Sequence, residues 1–217
     1  MGNLARVRAA LAAGAAINRV RIEPLFFNGA YGGGTALGMA AVGDHVEVVE
    51  ELLARGADPD AQVPESGGAL MQTVKFDSRR AAAALLAGGA SVDQRSDEKK
   101  WTSLHHAALH GNAEFVQLLC GAGADVDACT VEGDSPVFIC ARALSMRLGE
   151  RENVGDFLSR HARGAAVPAI TKDHVAALRL LQAAGGTCIF DGKPCTLKKV
   201  KGMGAEGLVQ AGLMSTM

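Results

Sequence analysis

Residues 101–128 read WTSLHHAALHGNAEFVQLLCGAGADVDA. Thr102 stands directly before an apolar-periodic run, where its hydroxyl can accept a backbone N–H and cap a helix. Leu104, Ala107 and Ala108 follow on one face, at spacings of three and four residues. Gly111 can take the left-handed conformation that ends this helix, and a second periodic run begins at once with Phe115, Leu118 and Leu119, stopped by Gly123. The unit is therefore two short antiparallel helices. Its alanines let two backbones approach closely, and its leucines supply most of the apolar area. A pair this short cannot bury both faces alone, so it requires neighbours.

The stretch resembles an ankyrin repeat, whose T-P-L-H-x-A signature is matched by Thr102-Ser103-Leu104-His105-His106-Ala107, with Ser103 in place of proline. The likeness continues through Gly111-Asn112, Glu114-Phe115-Val116, Leu118-Leu119 and Gly123-Ala124-Asp125-Val126-Asp127. Weaker copies flank it. Residues 3–18 match the second half of a repeat and end at Gly14, and residues 35–61 form a full repeat with Gly38 in place of the signature histidine. Residues 68–93 are an eroded copy, with Gly68 and Ala69 where Thr-Pro belong. The last copy is split between residues 135–141 and 173–186.

The glycine closing each second helix serves as a ruler. Gly56 to Gly89 is 33 residues and Gly89 to Gly123 is 34, the ankyrin period. Gly14 to Gly56 is 42 and Gly123 to Gly185 is 62, so two insertions are present. The first falls in the hairpin at residues 19–34, and the second separates the helices of the last repeat at residues 142–172. The first holds Leu25, Phe26, Phe27 and Tyr31, read either as a cover over the incomplete first repeat or as a binding loop. The second carries six Arg or Lys against three Asp or Glu, with an amphipathic helix expected near residues 153–163. Residues 1–141 carry 11 basic and 17 acidic side chains, a net of −6, so the basic insertion could dock on the acidic repeats or simply be solvated.

The fold class expected is all-α, an ankyrin-repeat solenoid of about four repeat equivalents over residues 1–186, with residues 187–217 as a tail or degenerate cap. Aromatics at 4% and abundant Ala, Leu and Gly suit thin, close-packed helices. No apolar run approaches the length of about 20 residues that crosses a bilayer, and the start lacks a signal-peptide pattern. Five cysteines, an odd number, fit free thiols in a reducing compartment, so a cytoplasmic or nuclear location is expected.

Little chemistry is encoded. His106 and His110 stand four apart on one helix, a spacing that can hold a metal, but no Asp or Glu accompanies them there, and His105 falls on the family's structural histidine. Cys120 and Cys140 occupy packing positions, and Cys188 and Cys195 flank an Asp191-Gly192 turn without metal-site spacing. An acidic body without a basic aromatic face argues against nucleic acid. We expect no catalytic residues, cofactor, metal, membrane or small-molecule substrate.

What the resemblance implies is protein binding, through hairpin tips and the exposed ends of first helices. On matching positions these are Val42, Lys75, Phe76, Trp101, Leu109, His110, Glu132 and Asp134. Trp101, Phe76 and Leu109 are the expected anchors, and removing Trp101 is expected to weaken a partner more than the fold; the alternative for Trp101 is that it packs against the next hairpin, which its burial decides. The alternative is a targeting or adaptor module that positions an activity held elsewhere.

Overall fold

The structure, a computed structural model, describes residues 4–20, 26–27, 30–31, 34–64, 67–96, 99–147, 174–187, 189–190 and 193–194. Its helices are α1 (Leu4–Ala12), α2 (Ala36–Val42), α3 (Val46–Ala54), α4 (Ala69–Phe76), α5 (Arg79–Ala87), α6 (Ser103–His110), α7 (Ala113–Gly121), α8 (Pro136–Arg147) and α9 (His174–Ala183). Two antiparallel hairpins accompany them. One pairs β1 (Phe26–Phe27) with β2 (Ala30–Tyr31), and the other pairs β3 (Ile189–Phe190) with β4 (Lys193–Pro194). The fold is the all-α ankyrin solenoid, and the chain divides into two compact units, Met1–Glu98 and Lys99–Met217.

In the first unit α2 pairs with α3 and α4 with α5, while first helix packs on first helix and second on second. Leu37, Ala41, Val49, Leu52, Leu70, Ala81 and Leu85 form the seam between them. Helix α1 lies against α3 and buries no residue completely. It is tied there by Arg8, which donates to Glu51 at 2.7 Å, and by Asn18, which accepts the Asp58 N–H at 2.8 Å. The Glu51 carboxyl is held below the usual range by hydrogen bonds from Arg8 and then Arg55. In the second unit α6 and α7 pack on α8 and α9 in the same way, around Leu104, Phe115, Leu119, Ile139, Leu178 and Leu181.

The ruler glycines share one conformation. Gly14, Gly56, Gly89, Gly123 and Gly185 have φ between 85° and 92°, and a Cβ on any of them would meet nothing. Glycine is needed for the backbone angle, not for space. Their register also carries a ladder of hydrogen bonds between repeats. Asn18, Asp60 and Asp127 each lie four residues after a ruler glycine and accept an N–H two residues after the next one, from Asp58, Ser91 and Thr187 respectively. The Asp127 to Thr187 rung, at 2.6 Å, spans the 62-residue interval, so the second insertion leaves the stacking register intact.

Helix starts follow the sequence where the signature survives. Thr35 accepts the Gly38 N–H at 3.0 Å, and Thr102 forms a capping box with His105. The His105 ring accepts the Thr102 N–H on Nδ1 and donates from Nε2 to the Asp134 carbonyl at 3.2 Å. That confirms its structural role. Where the signature is eroded, Gly68 offers no side-chain cap, and Gln94 lies where a Cβ on Gly68 would stand. Gln94 donates from its amide to the Asp60 carbonyl.

Three boundaries differ from expectation or fall elsewhere. Helix α8 runs to Arg147, so residues 142–147 extend the first helix of the last repeat instead of opening the insertion. The helix expected near residues 153–163 and the side chains of the residue 19–34 aromatics lie outside the described residues. The tail opens with the hairpin expected around Asp191-Gly192, and Ser135 holds it. The Ser135 N–H donates to the Ile189 carbonyl, while Ser135 Oγ accepts the Ile189 N–H, each at 3.0 Å. Cys188 and Cys195 themselves lie outside the described residues.

The glycine that replaces the signature histidine is testable. Gly38 sits inside α2, and an added Cβ would meet the Gln72 amide at 3.4 Å and Thr35 Oγ1 at 3.5 Å, close to ordinary contact. Gly38→Ala is expected to stabilise the fold by about 0.5–1 kcal/mol, because glycine in a helix interior wastes backbone entropy. Thermal melting should register a raised midpoint. A lowered one would mean that Gln72 cannot yield.

Candidate functional site

The positions expected to meet a partner separate into two groups. Phe76, the last residue of α4, is 38% exposed, and Glu132 is exposed at a hairpin tip. Val42, Lys75 and His110 are half-buried. Burial lowers the pKa of the Lys75 ammonium, since desolvation disfavours its charged form.

Trp101, Leu109 and Asp134 do not lie where a partner could touch them. Trp101 is 2% exposed and Leu109 4%, and both join Ile139 and Ala143 in one apolar cluster. The indole also lies against His106, with ring centroids 5.0 Å apart, and against His105 at 5.9 Å. Its large apolar area is spent on the next repeat. Asp134 is buried because its backbone is part of the fold: its N–H donates to Thr130 Oγ1 and its carbonyl accepts from His105. All three are packing residues in this chain, which corrects the expectation that they grip a partner.

Two exposed residues were not anticipated. Met39 on α2 is 38% exposed, and Val131, beside Glu132, is 66% exposed. Val131 had a signal in the sequence, since it precedes Glu132, whereas Met39 had none: its counterpart four residues after Thr102 is His106, which lies against Trp101.

Among the described residues Cys120 and Cys140 occupy packing positions. Cys140 is buried and Cys120 half-buried, with burial pushing the Cys120 thiol up, so its reactive thiolate is suppressed. Cys129 is half-buried and donates to the Asp127 carbonyl. Among the described residues no three His, Cys, Asp or Glu side chains form a group that could hold a metal ion, and no helix is long and apolar enough to cross a membrane.

Comparison with known proteins agrees with this architecture. A family model of ankyrin repeats in three copies matches residues 70–168, and a single ankyrin-repeat model matches residues 32–63. Cyclin-dependent kinase 4 inhibitor B from Rattus norvegicus is 35% identical over 108 residues, covering 49% of this chain and 82% of the relative. The chain belongs to the ankyrin-repeat family. Other relatives are much longer. Ankyrin repeat and SAM domain-containing protein 6 from Danio rerio is 35% identical over 50% of this chain but only 15% of its own length. Glycerophosphocholine phosphodiesterase gde1 from Schizosaccharomyces pombe is 34% identical over 42% of this chain and 8% of its own length. This chain therefore spans a small part of those two relatives, within the portion that aligns with its repeats. Ankyrin repeats generally mediate protein–protein interaction.

Proposed function

We propose that the chain is a protein-binding module whose contacts come from the exposed ends of its first helices and from its hairpin tips, with no reaction of its own and no cofactor. The observation that carries this reading is where exposed apolar side chains fall. Among the described residues the large hydrophobic side chains classed as exposed are Met39, Phe76 and Val131, two on adjacent first helices and one at a hairpin tip. Elsewhere in these helices the large apolar side chains are buried or half-buried. Met39 and Phe76 lie on the adjacent first helices α2 and α4 of the first unit, and exposed apolar side chains on such positions mark an interaction surface. A relative named as a kinase inhibitor, matched over most of its length, is consistent with binding as the whole function.

The same surface serves the second reading, an adaptor or targeting segment. The small share of the longer relatives that is matched favours it. In either case the partner is a protein, met in the cytoplasm or nucleus, with neither nucleic acid nor membrane as the target.

The test is affinity capture with the wild-type chain and a Met39→Ala/Phe76→Ala/Val131→Ser variant of unchanged melting midpoint. Proteins retained by the wild type and lost by the variant are the expected result. Identical retention by both would remove this surface as the binding site.

A further inference from the structure

Helix α1 is held differently from the second helices that follow it. Leu4, Val7 and Leu11 share one face and are half-buried, and the rest of the helix is exposed. Helix α3, by contrast, buries Val48, Val49 and Leu52. A helix of 9 residues is too short to persist in water alone, so α1 stays helical because it lies against α3.

A shared carboxylate supplies a polar hold. Arg8 donates to Glu51 Oε2 from Nη2 at 2.7 Å and from Nε at 3.0 Å, while Arg55, one turn further along α3, donates to Glu51 Oε1 at 2.8 Å. When Arg8 leaves, Arg55 stays, so Glu51 keeps a charged partner. The departing side chain is already 55% exposed and returns to water at little cost. Two guanidinium groups on one carboxylate also repel each other, so each holds it less tightly than it would alone.

The chain beyond α1 is anchored separately. Asn18 accepts the Asp58 N–H at 2.8 Å, and between Asn18 and the helix stands Gly14, where a Cβ would meet nothing. Helix α1 can therefore swing about Gly14 while Asn18 keeps its place in the ladder.

We propose that α1 is a releasable clasp, a helix that opens from α3 as a unit while α2 to α5 stay folded, with Glu51 retained by Arg55 when Arg8 lets go. Opening uncovers the face of α3 beneath α1, and the balance between closed and open forms follows the Arg8–Glu51 contact and the ionic strength. This device goes beyond the binding surface of Met39, Phe76 and Val131 and does not depend on it.

Hydrogen exchange of the full chain, resolved by residue and corrected for intrinsic rates, is the test. Amides of residues 8–12 should exchange roughly tenfold or more faster than those of residues 49–53. Raising sodium chloride from about 0.05 to about 0.5 M should speed α1 by about twofold to fivefold, the weight of an exposed ion pair, and leave α5 unchanged. Arg8→Met should give the same acceleration and remove the salt response. Arg55→Met should act in the opposite direction and slow α1, because Arg8 then holds Glu51 without competition. Unchanged melting midpoints show that the body of each variant is intact. Equal exchange of α1 and α3 would make them one cooperative unit and overturn the proposal. Fast exchange of α1 that ignores both salt and Arg8→Met would mean simple fraying of a helix end, and faster exchange in Arg55→Met would deny the shared carboxylate; either result also overturns it.

Discussion

Trp101→Ala is expected to lower the stability of the chain by about 3–5 kcal/mol, the range for deleting a large buried aromatic. The indole is 2% exposed in a cluster with Leu109, Ile139 and Ala143, so its removal leaves an apolar void that backbone relaxation fills only in part. Its contacts with His106 and His105 are lost as well, and aromatic pairs contribute about 0.5–1.5 kcal/mol beyond their area. A domain is stable by about 5–15 kcal/mol in total. The variant should therefore melt far below the wild type, and Trp101→Phe, which keeps much of the volume, should lie between them. Denaturant unfolding monitored by circular dichroism gives the difference directly. A Trp101→Ala chain with the wild-type midpoint and a lost partner would restore the anchor role that burial denies.

Why was Trp101 misplaced by the sequence and the ruler glycines not? A ruler glycine is a local requirement: the left-handed turn after a second helix is decided within a few residues, so Gly14, Gly56, Gly89, Gly123 and Gly185 were legible at once. Thr102 and His105 are local too, since cap and ring sit three residues apart. Burial of Trp101 is decided by Ile139 and Ala143, one repeat further on, and no rule within a single repeat specifies what the next one covers. The property that suggested an anchor, a large aromatic area, serves equally well in a core. Phe76 and Glu132 were placed correctly in the open because each closes its own element, the end of α4 and a hairpin tip. His174 is a further non-local case. It matches His45 in the repeat pattern, yet its ring lies over Gly111, 63 positions earlier, a pairing hidden by the second insertion.

That pairing sets the second large effect. Gly111→Ala is expected to cost about 2–4 kcal/mol, from two sources that can be separated. Gly111 has φ 60°, and at the matching positions Asp44 and Asp77 hold φ 51° and 62° with side chains present. The left-handed angle alone is thus tolerable in this fold, at about 1 kcal/mol for alanine. The remainder comes from crowding, because a Cβ on Gly111 would stand 2.3 Å from His174 Nδ1 and 2.5 Å from Cγ. The ring cannot swing aside cheaply: it is buried, and its Nε2 donates to the Leu109 carbonyl at 3.0 Å. Displacing it would strand that carbonyl and loosen the start of α9 where the chain re-enters the repeat. Hydrogen exchange should therefore quicken at α9 before α7. In a His174→Ala background the same glycine substitution should cost only the backbone share, and that double-mutant cycle isolates the steric part. Equal costs in both backgrounds would place the whole effect in the turn and none in the histidine.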